Sequence, residues 1–257
     1  MLNLPFRLRV FAGPNGSGKS TIINAVRNLV IEGKPIDFGY YVNADDIATM
    51  LRKGSFSFEP FALKLDKVDF VNFSFNSGLL DKTTKQTDFT STFRITEDAF
   101  TMIAQDKIEH LAQLLARFLR EQLLLNRRRF SFETVFSHPS NLEIMKRAAE
   151  NGYKVYLYFV STESAAINKY RVKLRVQQGG HNVPETKIES RYMRSLDLLY
   201  NAAELAYQAY FFDNSVDGEP YKLVAHFRQA DGEKVWEDFP SDPVPAWFQR
   251  YYLDKQR

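Results

Sequence analysis

The stretch GPNGSGKS at residues 13–20 decides how this sequence is expected to fold. It matches the pattern G-x-x-x-x-G-K-[ST], in which a strand runs into a glycine-rich loop and a helix follows the lysine. The flanking sequence agrees, because residues 8–12 form an apolar run and residues 21–32 place apolar side chains at helical spacing before Gly33. We therefore predict a strand, a phosphate-binding loop and a helix in this order.

A loop of this kind is suited to binding a triphosphate. Successive backbone N–H groups and the N-terminus of the following helix point at the same anion. Lys19 would neutralise charge on the β- and γ-phosphates, and the Ser20 hydroxyl would ligate Mg²⁺. The predicted phosphate-binding residues are Gly13, Pro14, Asn15, Gly16, Ser17, Gly18, Lys19, Ser20 and Thr21. We therefore predict a nucleoside triphosphate and Mg²⁺ as ligands.

The composition limits the class of protein. The 257 residues carry a formal net charge of +3, with 44% hydrophobic and 25% charged residues, which is typical of a globular chain, and we predict one domain over residues 1–257. The small positive charge argues weakly against a nucleic-acid partner. No apolar run reaches the roughly 18 residues that span a membrane, and the N-terminal sequence lacks a signal-peptide layout. Because there are no cysteines, disulfides and thiolate sites are excluded, and we expect a cytoplasmic protein.

The rest of the chain alternates between strands and helices. Apolar runs predict strands at residues 40–43, 130–134, 153–160 and 210–212, and a C-terminal hairpin from residues 221–229 and 234–236 within the segment 216–257. Two helices are predicted to begin at an N-cap, one from Asp46 to Met50 and one from Thr96 to Leu119. A third is predicted to begin at a capping box of Ser140 and Glu143 and to end near Gly152. Two more are predicted over residues 163–176 and from Pro184 to Leu205. Alternating strands and helices, with continuously apolar strands, predict an α/β fold with a parallel sheet covered by helices on both faces.

Phenylalanine is unusually frequent in one segment. Nine of the 22 phenylalanines lie between Gly54 and Phe100, and residues 54–95 fit neither helical nor strand period well, so we interpret this segment as an insertion. Apolar residues alternate at positions 56/58 and 71/73/75, which predicts short strands. Two interpretations remain open: the phenylalanines determine the substrate, or they form a small hydrophobic core that stabilises the insertion.

Acidic side chains follow two of the predicted strands. Asp45 and Asp46 come directly after the second strand, and Glu133 lies at the end of the third. Ligands of α/β sheets bind at the carboxyl ends of the strands. Asp45 could accept the proton of an attacking hydroxyl, whereas Asp46 is equally explained as an N-cap. A buried Glu133 would be costly unless it met Mg²⁺-bound water, a cation or a substrate hydroxyl.

One further acid and two arginines in the C-terminal half of the chain are candidate functional residues. Asp213 resembles a Mg²⁺-binding acid after a strand, but we interpret it as a hydrogen-bonded turn acid, or as part of a loop near the base through Asn214. Arg171 and Arg175 share one helix face, which is unfavourable unless an anion such as phosphate lies beside them. The alternative is a solvated face whose arginines pair with surface acids. Gly179, Gly180 and His181 follow as a flexible segment that could move these cations over the γ-phosphate.

Other motifs narrow the class of phosphate-binding protein. The D-x-x-G and N-K-x-D motifs of guanine-nucleotide switches are absent, as is an L-S-G-G-Q-like segment of transporter ATPases. Four scattered histidines predict no zinc site. A compact α/β unit with acids and arginines after its strands is typical of a small-molecule phosphotransferase. An ATP-gated interaction protein or ATPase and a polynucleotide kinase remain as alternatives.

Four segments together resemble the zeta-toxin-like P-loop kinase family, in its chromosomal branch of predicted ATPases. They are AGPNGSGKST at 12–21, VNADDIA at 42–48, FETVFS at 132–137 and RVKLRVQQGGHNVPETKIESRYMRSL at 171–196. The similarity runs from the first strand to about residue 215 and is interrupted by the insertion. It implies a kinase-like fold with a central parallel sheet in the order 2-3-1-4-5, ATP on the loop, and a protein antitoxin as partner.

The resemblance also implies roles for individual residues. Asp45 would be the catalytic base, assisted by Lys19 and by Arg171 and Arg175 on the lid. Acceptor binding falls on Glu133, Thr134 and His181, where His181 stands in place of a lid arginine of the family. Characterised toxin members phosphorylate a hydroxyl of a UDP-activated amino sugar, but the acceptor region is where this chain departs most. We therefore expect an ATP- and Mg²⁺-dependent phosphotransferase acting on a small-molecule hydroxyl, of which a nucleotide sugar is one candidate.

Overall fold

The computed structural model describes residues 6–180, 182–238 and 244–256. The strands are β1 (Arg7–Ala12), β2 (Val30–Ile31), β3 (Lys34–Pro35), β4 (Tyr40–Val42), β5 (Ser55–Ser57), β6 (Phe93–Ile95), β7 (Ala99–Met102), β8 (Phe130–Thr134), β9 (Lys154–Ser161), β10 (Gln208–Asp213), β11 (Lys222–Ala230) and β12 (Glu233–Asp238). The α-helices are α1 (Lys19–Asn28), α2 (Ala44–Arg52), α3 (Lys67–Asn76), α4 (Gln86–Thr90), α5 (Ile108–Leu125), α6 (Ser140–Glu150), α7 (Ala165–Gln177), α8 (Glu185–Asp197), α9 (Leu199–Glu204) and α10 (Ala246–Tyr251).

The chain forms two compact units. Unit 1 comprises Met1–Phe38 and Glu133–Arg257, and unit 2 comprises Gly39–Phe132. Within the described parts of the chain, no helix is both long and apolar enough to cross a membrane.

Unit 1 contains a sheet whose first strands are parallel. Strand β1 pairs in parallel with β9, and β9 pairs in parallel with β10. The hairpin β11–β12 continues the sheet in antiparallel fashion next to β10. Helices α1, α6 and α9 pack against β9. Because both faces of β9 are covered, its middle consists of apolar residues with no exposed surface, such as Leu157 and Phe159.

Unit 2 combines a parallel strand pair with the insertion. Strand β4 runs parallel to β8 with Tyr40 opposite Phe130, and α2 packs on α5. The insertion adds α3, α4 and a small antiparallel sheet in the order β5-β7-β6.

The α/β class with a mostly parallel central sheet and flanking helices is confirmed. Strands β4 and β8, which correspond to the second and third predicted strands, pair with each other. Strand β1, the first predicted strand, pairs with β9, the fourth, and β9 pairs with β10, the fifth. The complete order 2-3-1-4-5 stays a prediction, as does the division into one domain with an insertion at 54–95.

Phenylalanines of the insertion form a hydrophobic core together with two phenylalanines that follow it in the sequence. Phe70 lies at its centre, with four rings whose centroids are 5.3 to 6.2 Å from its own, and three of them meet it edge to face. The partners are Phe89, Phe93, Phe100 and Phe118, all buried. We name these five residues the phenylalanine core. This arrangement supports the structural interpretation of the phenylalanine excess, because these rings face one another and are closed to solvent.

The alternation at positions 71/73/75 predicted a strand, and this is wrong. These residues lie on α3, which begins after Asp66, whose carboxylate accepts hydrogen bonds from the N–H groups of Val68 and Asp69 at 2.7 and 3.2 Å. The N-cap and the burial of Phe70 and Val71 against the core outweigh the period-two pattern.

The helix predicted to begin at Thr96 begins instead at Ile108. The Thr96 hydroxyl accepts a hydrogen bond from the N–H of Ala99 at 3.2 Å and closes the turn between β6 and β7. Phe100 lies in β7 because its ring packs into the phenylalanine core. Side-chain hydrogen bonding of threonine serves turns as well as helix starts.

Three helix ends also differ from the prediction. Helix α1 ends at Asn28, and β2 and β3 form a small hairpin where residues 29–32 were predicted to be helical. The N-cap of α6 is Pro139, and Ser140 is the first residue of the helix. The Ser140 hydroxyl contacts Nδ1 of His138 at 2.9 Å, so the predicted capping box of Ser140 and Glu143 is wrong. The helix that starts after Pro184 is interrupted at Leu198, which separates α8 from α9.

Candidate nucleotide-binding site

The phosphate loop, residues 13–20, has the backbone shape that its glycines predict. Gly13, Gly16 and Gly18 have φ values of +146°, +77° and +96°, in the region that favours glycine. A Cβ atom on Gly13 would lie 2.1 Å from the carbonyl oxygen of Val160 on β9. The loop can therefore follow this path only because it has no side chains at these positions.

Two asparagines lie directly against the loop. A Cβ atom on Gly16 would meet the backbone of Asn168 at 2.7 Å, and one on Gly18 would meet Nδ2 of Asn214 at 2.1 Å. Asn214 Nδ2 also donates a 2.9 Å hydrogen bond to the carbonyl oxygen of Ser17. Neither asparagine was predicted as a phosphate-loop contact, although Asn214 was noted as part of a loop near the base.

Asn168 belongs to a buried hydrogen-bond network under the loop. It is fully buried, and its Oδ1 accepts a 2.5 Å hydrogen bond from the hydroxyl of Thr162 at the end of β9. Tyr192 on α8 donates a 2.7 Å hydrogen bond to the Thr162 carbonyl oxygen. The first turns of α7 are therefore fixed beneath the loop by α8 and β9. No feature of the local sequence pattern indicated this network.

Lys19 and Glu133 are brought together by the fold. Lys19 is the first residue of α1 and is only 8% exposed. Its Nζ donates a 3.1 Å hydrogen bond to the carbonyl oxygen of Pro14 and lies 3.8 Å from Oε1 of Glu133. A buried ammonium group at a helix N-terminus adds a fixed positive charge to the N–H groups of the loop.

These residues fit a nucleotide phosphate. Gly18 is the N-cap of α1 and has no side chain to cap the first-turn N–H groups, which suits them to an anion. Ser20 follows Lys19 and is exposed, so its hydroxyl oxygen is available to a hard cation such as Mg²⁺. No group of three or more His, Asp or Glu side chains within the described ranges is arranged to hold a metal ion by itself.

Arg171 pairs with an acid in this structure. Its Nε donates to Oδ1 of Asp217 at 2.7 Å, and its Nη1 donates to the carbonyl oxygen of Asn214 at 2.6 Å. Of the two interpretations of the arginines, the pairing with a surface acid holds for Arg171. Arg175 lies one turn further along, where its carbonyl oxygen accepts the N–H of Gly180 at the end of α7. The third lid candidate, His181, lies outside the described residues.

Asp213 is a hydrogen-bonded turn acid, as predicted. Its Oδ1 accepts from the N–H of Ser215 at 3.1 Å, and its Oδ2 accepts from the Ser215 hydroxyl at 2.8 Å and from Nε1 of Trp247 at 2.7 Å. These three donors contact both carboxylate oxygens and tie Asp213 to the segment that follows β10 and to α10.

Thr134 holds the turn after β8. Its hydroxyl accepts the N–H of Phe136 at 3.1 Å and contacts Oδ1 of Asn141 at 3.4 Å. Phe136 is fully buried and has a φ of +58°, which is strained for a residue with a side chain. The predicted role of Thr134 in acceptor binding stays a prediction beside this structural role.

Asp45 lies in unit 2, in the first turn of α2. The N-cap of this helix is Asn43, whose Oδ1 accepts the N–H of Asp45 at 2.8 Å, so the prediction of Asp46 as N-cap is wrong. Asp45 is exposed, and the carboxylates of Asp45 and Asp46 both favour the positive end of the helix dipole. The exposed position of Asp45 after a parallel strand suits the predicted role as a base, which stays a prediction.

Unit 2 also buries an arginine that sequence reasoning missed. Arg120 on α5 donates from Nε to the carbonyl oxygen of Ala116 at 3.2 Å, and its guanidinium lies 4.5 Å from the ring centroid of Phe132. Burial, reinforced by the charge of Arg117, lowers the pKa of Arg120 to about 9. The sequence signal was its position on the otherwise apolar, buried face of α5.

Comparisons with known proteins agree with this fold. No protein-family model matches the sequence. An uncharacterized protein of Haemophilus influenzae is 38% identical over 63 residues, which cover 24% of this chain and 45% of that protein. The AvrRxo1-ORF1:AvrRxo1-ORF2 complex with sulphate ions contains a chain with a TM-score of 0.51 and 14% identity, matching 91% of this chain and 62% of that chain. The same complex with ATP gives a TM-score of 0.50 and 15% identity over 91% and 61% of the two chains.

A structure from the PezAT chromosomal toxin–antitoxin system of Streptococcus pneumoniae has a TM-score of 0.46 and 11% identity, over 82% of this chain and 68% of that chain. The chain thus spans less than two thirds of the AvrRxo1 chains and less than half of the Haemophilus protein. The match to the AvrRxo1-ORF1:AvrRxo1-ORF2 structures, over 91% of this chain, shows that the chain shares the fold of that protein.

Proposed function

We propose that this protein is a zeta-toxin-like kinase, which transfers the γ-phosphate of ATP to a hydroxyl of a small-molecule acceptor. The observation that carries the proposal is the phosphate loop itself, with its three glycines in the required conformations and Lys19 buried beside Glu133. The crystal structure of the AvrRxo1-ORF1:-ORF2 complex with ATP adds support, because its fold is shared with this chain.

In the proposed reaction the protein mainly positions groups and stabilises charge. The loop N–H groups and Lys19 bind the β- and γ-phosphates and stabilise negative charge in the transition state. Glu133 orients the acceptor, and Asp45 accepts its hydroxyl proton. The acceptor oxygen forms a bond to the γ-phosphorus while the bond from that phosphorus to the β–γ bridging oxygen breaks, and ADP leaves. Mg²⁺, for which Ser20 supplies a ligand, would neutralise phosphate charge.

The arginines require movement to act on the transferring group. Arg171 is paired with Asp217, so it would have to exchange this carboxylate for the phosphate. The position of Arg175 near two consecutive glycines, 179 and 180, is consistent with a lid that moves. A role for both in stabilising the phosphoryl group, and for His181 and Thr134 in acceptor binding, is part of the proposal.

The partner is proposed by analogy. The neighbours include complexes named as AvrRxo1-ORF1 with ORF2 and as a toxin–antitoxin system. We infer a protein antitoxin as a candidate partner of this chain, and a cytoplasmic location in keeping with ATP as substrate. A nucleic-acid substrate is not favoured by the net charge of +3.

The test uses γ-labelled ATP, Mg²⁺ and a metabolite extract, with labelled products identified by mass spectrometry. The Lys19→Ala protein serves as the background control. A labelled metabolite that appears only with the wild-type protein supports the proposal and identifies the acceptor. If the label appears only in free phosphate, with or without extract, the small-molecule kinase is excluded and an ATPase is favoured.

A further inference from the structure

Asn214 contacts two predicted functional elements at once. Its side-chain Nδ2 donates to the carbonyl oxygen of Ser17 in the phosphate loop at 2.9 Å. Its own carbonyl oxygen accepts Nη1 of Arg171 on α7 at 2.6 Å. Residues 17 and 214 are 197 positions apart, so this contact exists only in the folded chain.

Asn214 is held from both sides. Its N–H donates to the carbonyl oxygen of Ser161 on β9 at 2.9 Å. The preceding residue, Asp213, is fixed by Ser215 and by the indole of Trp247. Because its backbone is anchored in this way, the Asn214 side chain can determine the position of the loop rather than follow it.

The geometry of the peptide unit makes this contact relevant to phosphate binding. A trans peptide is planar, and its C=O and N–H bonds point in opposite directions. When Asn214 fixes the carbonyl of Ser17, the N–H of Gly18 in the same peptide is therefore directed away from Asn214. This N–H is one of the donors that a P-loop offers to phosphate.

From these contacts we infer that Asn214 is a positioning residue of the nucleotide site. It orients the Ser17–Gly18 peptide for phosphate binding, and it couples the loop to Arg171 on α7. The inference rests on the proposed function in so far as the ligand of the loop is ATP. The close approach also leaves no room for a side chain at Gly18 while Asn214 keeps this position, since a Cβ atom there would lie 2.1 Å from Nδ2.

The test compares Asn214 with an asparagine that makes the same type of bond elsewhere. Asn151, exposed at the end of α6, donates from Nδ2 to the carbonyl oxygen of Arg147 at 2.7 Å. Both residues are changed to Ala and to Asp, and the dissociation constant of ATP with Mg²⁺ is measured by isothermal titration calorimetry. We expect Asn214→Ala to weaken ATP binding about fivefold by loss of one hydrogen bond, and Asn214→Asp about 100-fold.

The larger effect of Asn214→Asp has two causes. An aspartate oxygen faces the Ser17 carbonyl oxygen as a second acceptor, and its negative charge lies close to the phosphate site. The two Asn151 variants should bind ATP within twofold of the wild type. If Asn214→Asp does not fold, Asn214→Ser serves as a second truncation beside Asn214→Ala and should also weaken ATP binding about fivefold, because the serine hydroxyl is too short to reach Ser17.

A second measurement does not depend on ATP. Hydrogen–deuterium exchange of peptides spanning residues 13–20 in nucleotide-free protein should be faster in Asn214→Ala than in Asn151→Ala, at similar melting temperatures. Equal exchange and equal ATP affinity in the two variants would overturn the inference. If the wild type itself binds no ATP, the proposed function fails, whereas unequal loop exchange would still support the positioning of the loop by Asn214.

Discussion

Nζ of Lys19 lies 3.8 Å from Oε1 of Glu133, and both side chains are largely withdrawn from solvent. The two residues are separated by more than a hundred positions and were assigned to different tasks, phosphate binding and acceptor binding. Their proximity means that the end of β8 adjoins the phosphate loop within unit 1. An acceptor hydroxyl held by Glu133 would therefore be close to Lys19, the group that we propose binds the β- and γ-phosphates.

Replacing Lys19 should abolish phosphoryl transfer and leave the fold intact. We expect Lys19→Ala to lower kcat/KM by about 10³-fold or more, because one fixed cation at the transferring phosphate is removed. Transfer from γ-labelled ATP measures this effect, and circular dichroism reports the fold. Lys34→Ala, at an exposed lysine in β3, is the control and should keep wild-type activity. Activity retained in Lys19→Ala would remove this residue from the mechanism.

Replacing Glu133 should affect the acceptor more than ATP. Glu133→Gln keeps the size of the side chain and removes its charge, so we expect the KM of the acceptor to rise about tenfold or more through loss of a charge-assisted hydrogen bond. The KM of ATP should change less than that of the acceptor. Steady-state kinetics with each substrate varied in turn measure both constants, with Glu143→Gln on the exposed face of α6 as control. A selective rise in the KM of ATP would contradict acceptor binding by Glu133.

Replacing Asp45 should separate nucleotide binding from turnover. Asp45→Asn cannot accept a proton, so we expect kcat to fall about 10²- to 10⁴-fold, the usual contribution of a general base. ATP affinity should remain within about twofold of the wild type. Asp46→Asn is a close control, because Asp46 is the next residue in the same exposed first turn of α2. Full turnover in Asp45→Asn would exclude Asp45 as the base.

Features determined by residues close together in the sequence were predicted, whereas contacts between distant residues were not. The phosphate loop was predicted because its motif is contiguous. Strand β9, predicted at residues 153–160 and observed at Lys154–Ser161, was predicted because a strand covered on both faces is an almost continuous apolar run. The contacts of Asn168 and Asn214 with the loop could not be predicted, because they join residues from different elements. Their residue types alone do not distinguish such a contact from an ordinary turn.

Local patterns also failed where tertiary packing competes with periodicity. In the insertion, the alternation at 71/73/75 comes from a phenylalanine-rich helix with residues on several faces: Val71 is buried, whereas Phe75 is 39% exposed. Thr96 was interpreted as a helix N-cap, but its hydrogen bond to Ala99 closes a strand turn. In both cases burial in the phenylalanine core, rather than local propensity, determines the element.

The phenylalanine core should be important for stability. Phe70→Ala removes a fully buried ring that contacts four others, and we expect it to lower the free energy of unfolding by about 3–5 kcal/mol. Phe75→Ala on the same helix is the matched control and should cost much less, because Phe75 is partly exposed. Denaturant unfolding followed by circular dichroism measures the difference. Similar losses for both variants would contradict the assignment of Phe70 to the centre of the core.

Acidification should destabilise the protein through two histidines whose pKa is lowered in the folded chain, the buried His226 in unit 1 and the exposed His110 in unit 2. In unit 1, the His226 ring stacks on the Tyr210 ring, with 3.9 Å between the ring centroids. Burial lowers the pKa of His226, and the positive charge of Arg228 lowers it further. The nearby acids Glu237 and Asp238 raise this pKa but do not outweigh burial. In unit 2, His110 is exposed on α5, and partial shielding from water by its neighbours lowers its pKa, with a further contribution from the charge of Lys107.

The direction of the pH effect follows from the protons bound in each state. An unfolded chain protonates these imidazoles near their ordinary pKa of about 6.5, while the folded chain resists protonation to a lower pH. Between these pKa values the unfolded state binds more protons, so the free energy of unfolding falls as the pH falls. The stabilisation is complete above about pH 6.5 and is lost as the pH decreases through the folded pKa. Each histidine can contribute a slope of at most about 1.4 kcal/mol per pH unit.

Substitution of His226 should therefore flatten the pH dependence of stability. Urea unfolding at several pH values from about 7.5 down to 5 gives the slope for the wild type, His226→Gln and His110→Gln. We expect each single variant to have a smaller slope than the wild type and the double variant to have the smallest, because each substitution removes one proton difference between the states. Loss of the Tyr210 stacking shifts the absolute stability of His226→Gln but not its slope. An unchanged slope in His226→Gln would show that its imidazole titrates alike in the folded and unfolded chain.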